Sequence, residues 1–279
     1  MRQETRAFFI LVFAVIIWGG SFLPTKWLLN SINVFEFLFY RFLFASLAFF
    51  IITHKSILIY FKKTYFYGLL TGFCMATAFI LQTLALPLTQ SSNVAFLTGL
   101  EGITAPFLCA LINKRSLTIR AIICAFVACF GMFLFSDANI NNFGSGEWLA
   151  IACAVFFGLL VTLNDRFLKN NDLNTFVFFQ FVGCASICLI ASLVFTELTF
   201  KPVSDIRFIG YILISALIFT VFCFFAQNYA QKYLSPSKVA LILLLEPISA
   251  GALGYCFGET FTILQLIGAG LILLALAFS

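Results

Sequence analysis

Hydrophobic residues along this chain are gathered into long runs, which short polar segments separate. An α-helix needs about 20 apolar residues to cross the hydrocarbon core of a bilayer, so the pattern predicts ten membrane-spanning helices. These cover residues 7–29, 34–53, 66–86, 91–112, 118–136, 147–166, 173–196, 207–230, 236–257 and 260–279. Most of the connecting segments are shorter than about a dozen residues, which is less than an additional soluble domain needs.

The composition supports the same interpretation. Apolar residues make up 62% of the 279 residues and charged residues 10%, whereas soluble domains average about 45–50% and about 25%. A soluble fold of this length could not bury that much apolar surface. The sequence therefore predicts an all-α polytopic protein whose surroundings are the lipid bilayer.

Several other classes of protein or site are not indicated. The apolar run after Arg2 and Arg6 is too long for the core of a signal peptide, so we interpret it as the first span. The nine cysteines lie inside apolar runs without a CxxC pair, and we expect no disulfide framework, metal site or cofactor. The net charge of +5 comes from residues in short loops, so nucleic acid is not expected as a partner.

Lysine and arginine are distributed unevenly between the two sides of the predicted membrane domain. With a cytoplasmic N-terminus, three of these residues lie outside: Lys26, Lys201 and Arg207. The residues on the inner side are Arg2, Arg6, Lys55, Lys62, Lys63, Lys114, Arg115, Arg120, Arg166, Lys169, Lys232 and Lys238. Positive charge favours the cytoplasmic side, so we predict a multi-pass protein of the cytoplasmic (inner) membrane with both termini in the cytoplasm.

Two segments of the chain resemble each other closely. Residues 92–103 and 237–248 are identical at six of twelve positions, and Glu101 and Glu246 occupy the same position in the two copies. Repeated sequence indicates a duplicated structural unit. A carboxylate in the middle of a membrane span is energetically costly and usually has a function, so these two glutamates are candidate binding residues.

The duplication implies a particular architecture. Each half contains five predicted spans, and because five is odd the halves cross the membrane in opposite directions. We predict a first repeat at residues 1–137, an outer connecting loop at 138–146 and a second repeat at 147–279. Inverted repeats of this kind are typical of secondary transporters, which bind substrate near the midplane between the repeats.

Prolines and polar residues within the spans suggest a central cavity. Pro24, Pro106 and Pro247 each remove a helical hydrogen bond, and a carbonyl freed in this way must find a partner or line a wet cavity. A packing kink satisfied by neighbouring helices is the alternative for each proline. The predicted substrate-binding residues are Trp18, Phe22, Arg41, Asn93, Glu101 and Glu246.

Some polar residues in the spans allow more than one interpretation. Arg41 could extend toward the outer surface, or pair with Glu36 or with an acid on another helix. Each glutamate could instead be protonated and make a structural hydrogen bond to a freed carbonyl. Three further polar residues lie near the inner end of the eighth span: Gln227, Asn228 and Gln231. We expect them to lie at the membrane interface and not to line the substrate site.

The sequence resembles the EamA-type members of the drug/metabolite transporter superfamily. The motifs are residues 18–22 (WGGSF), Arg41, and the second-repeat stretch from Val239 through Glu246 and Pro247 to Leu273. The first repeat departs from the pattern, with Asn113-Lys114 in place of Gly258-Glu259 and Gly102 in place of Pro247. The resemblance implies export or exchange of a small metabolite, often an amino acid, without ATP hydrolysis.

The predicted function is therefore secondary transport of a small metabolite by alternating access, with protons as a candidate coupling ion. A membrane-embedded sensor or receptor and a non-transport membrane enzyme are the alternatives. An enzyme would need a nucleophile with its base, a metal cluster or paired carboxylates, yet the single histidine, His54, falls in an inner loop. No GxxxxGK[ST] loop is present for an ATP-driven pump, and the sequence leaves the oligomeric state open.

Overall fold

The computed structural model describes residues 3–89, 91–114, 116–136, 144–196, 206–256 and 262–278. Of the predicted connecting loop 138–146, only residues 144–146 are among the described residues. Gly258 and Glu259 lie outside the described residues. The regular structure within the described ranges is helical throughout. Its elements are α1 (Gln3–Gly19), α2 (Phe22–Leu28), α3 (Val34–Ala85), α4 (Ser91–Thr98), α5 (Glu101–Asn113), α6 (Ile119–Ser136), α7 (Ser145–Phe167), α8 (Leu173–Phe195), α9 (Ile206–Ile214), a π-helix (Ser215–Phe222), α10 (Cys223–Tyr233), α11 (Pro236–Leu243), α12 (Leu245–Cys256) and α13 (Ile263–Ala277).

Most of the predicted spans appear as long apolar helices. Within the described ranges, five helical segments are long and apolar enough to cross a bilayer, and Ile119–Phe135 and Ile263–Ala277 are shorter apolar helices. Side chains close several helix starts: the Asp172 carboxylate accepts a hydrogen bond from the Thr175 amide at 2.9 Å before α8. The Ser235 hydroxyl accepts one from the Lys238 amide at 3.3 Å before α11. These caps satisfy amides that have no partner inside the helix.

The second and third predicted spans form one helical segment, α3, of 52 residues. A straight helix of that length would be about 78 Å long and would separate Phe42 from Phe79 by about 55 Å. Their ring centroids are only 5.3 Å apart. The segment therefore folds back on itself, and its two arms lie side by side as the two predicted spans. The connection at residues 54–65, which the sequence placed between two spans on the inner side, is itself helical.

Three other spans are interrupted instead of being continuous helices. The first predicted span breaks at Gly20-Ser21, between α1 and α2, and the fourth breaks at Gly99-Leu100, between α4 and α5. The ninth breaks at Leu244, between α11 and α12. The last two breaks lie at matching places in the two copies of the duplicated segment. Each places a glutamate at the start of the following helix.

Small residues allow two helix pairs to approach closely. A Cβ atom on Gly72 of α3 would lie 2.5 Å from the Gln180 carbonyl oxygen of α8, and one on Gly268 of α13 would lie 2.3 Å from the Gly131 oxygen of α6. Close packing across small residues is a common way for helices to associate in membranes. These crossings hold the second arm of α3 against α8 and join the last span of each predicted repeat.

Candidate functional site

A cavity lies at the centre of the helix bundle. Its walls come from α1, α2, both arms of α3, α5, α7, α10, α11 and α12, so both predicted repeats contribute. The lining residues are Trp18, Ser21, Phe22, Thr25, Arg41, Phe79, Gln82, Thr83, Leu86, Glu101, Phe157, Phe224, Gln227, Leu243 and Glu246.

Five of the six residues proposed from the sequence surround this cavity, namely Trp18, Phe22, Arg41, Glu101 and Glu246. Asn93 does not line it. The Asn93 amide nitrogen lies 3.3 Å from the Thr89 hydroxyl and 3.5 Å from a Glu147 carboxylate oxygen. The Thr89 hydroxyl also donates to that carboxylate, so Asn93 belongs to a separate polar cluster beside the start of α7.

The two glutamates lie in equivalent positions at the helix breaks. Glu101 is the first residue of α5, and Glu246 is the second residue of α12. The first turn of a helix has amides without intrahelical partners and a positive dipole end, which makes it a favourable place for a carboxyl group. The sequence located the two acids near the middle of their spans, but it did not indicate that a helix begins at each of them.

No other described side chain bonds to either of these carboxyl groups. Within the described ranges, the side chains of Glu101 and Glu246 make no hydrogen bond and no ion pair. Glu101 is only 9% exposed. Buried polar groups are normally paired in folded proteins, so two unpaired carboxyl groups around one cavity are typical of a binding site and unusual for purely structural residues.

Arg41 points into the bundle, toward the π-helix. Its Nε donates to the Thr220 hydroxyl at 2.7 Å, and one Nη lies 3.5 Å from the Phe219 carbonyl oxygen. The guanidinium also lies over the Phe79 ring, 4.8 Å from its centroid. At 5% exposure, Arg41 does not extend to the outer surface, and its hydrogen bonds go to the π-helix instead of to Glu36.

The π-helix Ser215–Phe222 positions one side of the cavity. The Trp18 indole nitrogen donates to the Phe219 carbonyl oxygen at 2.6 Å, so Trp18 and Arg41 approach the same carbonyl. Thr220, which holds Arg41, donates its own hydroxyl hydrogen to the Ser215 carbonyl at 2.9 Å. Single π-helical turns often occur at functional sites. No feature of the hydrophobic pattern predicted this segment.

Aromatic rings form the apolar wall. The Phe79 centroid lies 5.4 Å from that of Phe157 and 5.6 Å from that of Phe224, and Trp18 is 4.7 Å from Phe224. These contacts are edge-to-face, the arrangement that the charge distribution of aromatic rings favours. The cavity therefore combines an aromatic surface with two carboxyl groups and one guanidinium, which suits a small molecule with both apolar and charged parts.

Gln227 was assigned to the membrane interface from the sequence, and that assignment was wrong. It is 3% exposed and lines the cavity, and its side-chain oxygen has no hydrogen-bond partner among the described residues. Gln227 lies in the last part of the predicted span, as the sequence placed it. What the sequence could not give was the rotation of α10, which turns this face of the helix toward the centre of the bundle.

The neighbouring amides form a buried chain of hydrogen bonds across three helices. Asn228 donates to the Gln180 side-chain oxygen at 2.9 Å, Gln180 donates to Asn164 at 3.2 Å, and Asn164 donates to Gln231 at 2.8 Å. All four side chains are at most 1% exposed. We call Asn164, Gln180, Asn228 and Gln231 the amide network; it joins α7, α8 and α10 next to the cavity.

The chain is similar to known transporters along its length. A model of the EamA-like transporter family matches residues 5–137 and again residues 144–279. A protein named as an uncharacterized transporter of Archaeoglobus fulgidus is 29% identical over 269 residues, which are 95% of this chain and 82% of that relative. The uncharacterized transporter YyaM of Bacillus subtilis is 25% identical over 197 residues, 67% of this chain and 63% of the relative.

A solved crystal structure has the same fold. It superposes with a TM-score of 0.80 over 98% of this chain and 96% of its own length, at 14% sequence identity. The resemblance found in the sequence is confirmed by these matches, and so is the prediction of an all-α polytopic membrane protein. Because the family model matches both halves, the chain belongs to the EamA-like transporter family and is a membrane transporter and not an enzyme.

Proposed function

We propose that this transporter moves a small metabolite, an amino acid or a related compound, by secondary transport across the cytoplasmic membrane. The direction that we propose is export or exchange. The observation that carries this proposal is the pair of unpaired carboxyl groups, Glu101 and Glu246, which face one cavity at the starts of two interrupted helices. Interrupted helices at the centre of a bundle are where secondary transporters bind their substrates.

The energetics of the two glutamates favour a role in binding. Insertion scales assign an acid at the centre of a membrane helix a cost of roughly 2.5–3.5 kcal/mol. Within the described ranges no side chain makes a hydrogen bond or an ion pair with Glu101 or Glu246; Arg41 acts on Glu246 only through a longer-range Coulomb attraction. An amino group of the substrate would supply the missing partner when the cavity is filled, and a bound proton would supply it when the cavity is empty. Exchange of one for the other couples transport to protons.

The remaining lining residues suit the other parts of such a substrate. Arg41 uses its Nε for Thr220, which leaves guanidinium donors for a substrate carboxylate, since this side chain has five N–H groups. Phe79 and Phe224 offer aromatic surface to an apolar side chain. Gln227 adds an amide oxygen without a partner among the described residues. An amino acid presents the complementary groups.

Alternating access is the mechanism that the proposed inverted repeats support. In this scheme residues 1–137 and 147–279 form the two repeats, and one rocks against the other around the glutamates. The breaks before Glu101 and Glu246 give each repeat a half-helix that can move separately from the preceding one. A sensor or receptor would use the same cavity without moving its ligand, and this is the second candidate function.

Counterflow in proteoliposomes distinguishes transport from sensing. Vesicles containing the purified protein are loaded with one unlabelled candidate, and the entry of a trace of the same radiolabelled compound is measured. Amino acids, nucleosides and sulfur metabolites are tested in turn. A transporter accumulates label with at least one of them, whereas protein-free vesicles do not. A receptor would bind a compound of this panel without accumulating it.

The proposed orientation has its own test. Both termini are placed in the cytoplasm, and the segment 137–146 is placed outside. A reporter that is active only in the cytoplasm should be active when fused after residue 279 and inactive when inserted into 137–146. The opposite pattern, or equal activity at both sites, would contradict the proposed topology.

A further inference from the structure

A second cavity lies between the ends of α5, α6 and α11. It is separate from the central cavity and shares no lining residue with it. Its residues are Pro106, Cys109, Ala110, Ser116, Leu117, Thr118, Arg120, Ala121, Ser235, Pro236, Ser237, Lys238 and Leu241. Helices of the first predicted repeat form one wall and α11 of the second repeat forms the other.

The charged residues of this lining are all basic. Arg120 and Lys238 belong to it, and among the described residues no acidic one does. The Arg120 Nε donates to the Phe278 carbonyl oxygen, which leaves the two terminal nitrogens of the guanidinium for a bidentate contact. Lys238 Nζ lies 6.0 Å from the Phe8 ring centroid and makes no ion pair within the described ranges. Both cations therefore have donors available for an anion.

Hydroxyl groups surround the same opening. The four residues are Ser116, Thr118, Ser235 and Ser237. Arginine forks and hydroxyl donors around one space are the groups that recognise phosphate oxygens.

The deeper part of this cavity is apolar. Pro106, Cys109 and Leu241 are buried there, and Leu241 lies about 9 Å along α11 from Ser235 at the usual helical rise. The polar opening is at the helix ends and the apolar floor runs between the helices toward the middle of the bundle. A soluble phosphate compound has no apolar part to place on that floor, whereas the acyl chain of a lipid would cover it.

We propose that this cavity binds the phosphate headgroup of an anionic phospholipid, with Arg120 and Lys238 as the charged ligands and the apolar floor in contact with an acyl chain. Basic pockets between membrane helices are suited to such headgroups. The ligand would connect α5 and α6 of one predicted repeat to α11 of the other. The proposal does not depend on the identity of the transported substrate.

The test measures lipid binding directly. Purified protein in a nonionic detergent is titrated with phosphatidylglycerol, and bound lipid is counted by native mass spectrometry. A basic residue near a membrane surface contributes roughly a fivefold factor in the affinity for anionic lipid. The double variant Arg120→Gln/Lys238→Gln should therefore bind phosphatidylglycerol roughly 25-fold more weakly. Phosphatidylcholine binding should stay unchanged in the same variant.

A matched variant controls for general loss of positive charge. Lys62→Gln/Lys63→Gln removes two exposed lysines of the same predicted side and should bind phosphatidylglycerol as the unchanged protein does. Each variant is first shown to be monodisperse with an unchanged melting temperature. Equal phosphatidylglycerol binding by the Arg120/Lys238 variant would overturn the proposal.

A third arm distinguishes a lipid from a soluble anion. Inorganic phosphate, added at the same concentration as phosphatidylglycerol, should leave the bound lipid in place, because it cannot use the apolar floor formed by residues such as Leu241. Displacement of the lipid by equimolar inorganic phosphate would assign the cavity to a soluble phosphate compound and overturn the lipid assignment. All three measurements are made without transport, so they can fail while the proposed transport function stands.

Discussion

Gln180 holds the centre of the amide network, and we predict that replacing it weakens the whole helix bundle. Its amide nitrogen donates to Asn164 on α7 and its oxygen accepts from Asn228 on α10. The variant Gln180→Met keeps a side chain of similar length and removes both hydrogen bonds. The Asn164 side-chain oxygen then loses a donor and the Asn228 amide nitrogen loses an acceptor. Both side chains are at most 1% exposed, so water does not replace these contacts.

The expected loss of unfolding free energy has two sources: the two hydrogen bonds themselves, and the buried polar atoms that are left without a partner. Hydrogen bonds between membrane helices average about 0.6 kcal/mol and reach about 1.7 kcal/mol. Two of them amount to about 1.2 kcal/mol at the average value. A buried polar group that loses its partner costs about 1–3 kcal/mol where no rearrangement satisfies it. We therefore expect Gln180→Met to lower the free energy of unfolding by about 1–3 kcal/mol.

The assay is unfolding of the purified protein in detergent, followed by circular dichroism in a denaturant titration. Gln3→Met is the matched control, because Gln3 is exposed at the start of α1, and it should leave stability unchanged. A cycle with Asn228→Leu should give a coupling of about 0.6–1.7 kcal/mol between the two positions. Additive effects in that cycle, or wild-type stability of Gln180→Met, would refute the reasoning.

Two further predictions use matched pairs within the chain. Gly268→Ala places a Cβ atom 2.3 Å from the Gly131 oxygen and should cost about 1–3 kcal/mol of unfolding free energy through overpacking. Gly270→Ala meets nothing within 4 Å and should be neutral or slightly stabilising in the same titration; equal losses would contradict the close crossing of α6 and α13. Trp18→Phe removes the hydrogen bond to the π-helix and should cost about 0.5–1.5 kcal/mol and reduce counterflow, whereas Trp27→Phe, at a side chain 70% exposed, should change neither.

Much of the architecture could be predicted from the sequence because membrane helices leave a strong signal. Long apolar runs have few alternative structures in a bilayer, where every backbone polar group must be satisfied within the span. A similar argument from the sequence predicted the central cavity. Charged groups such as Arg41, Glu101 and Glu246 are rare at this depth, so their presence indicated a common interior, and the structure brings all three to one cavity.

The details that escaped prediction depend on helix rotation and on backbone geometry. Gln227 and Asn93 both lie in apolar spans, and the sequence does not specify which way each side chain turns. Gln227 faces the cavity, whereas Asn93 contacts the cluster of Thr89 and Glu147. A rotation of one residue, about 100° on a helix, is enough to exchange such positions.

Backbone irregularities were missed for a related reason. The π-helix Ser215–Phe222 has the same apolar composition as an ordinary span, so nothing in the residue pattern distinguishes its wider turn. The helical fold-back of α3 was interpreted as a loop because polar residues such as Lys62 and Lys63 occur there. Helix formation tolerates lysine well, so charge alone did not mark a break in the backbone.

The central claim is that the unpaired carboxyl group of Glu246 takes part in transport, and Glu246→Gln tests it most directly. Glutamine keeps the shape and can still accept and donate hydrogen bonds, but it neither ionises nor releases a proton. We predict that Glu246→Gln inserts and folds normally yet loses most counterflow activity, with Glu101→Gln similar or milder. The exposed Glu4 provides the control, and Glu4→Gln should transport normally. Counterflow by Glu246→Gln at the wild-type rate from about pH 5 to about pH 8, a range above the ordinary glutamate pKa of about 4.3, would contradict the account.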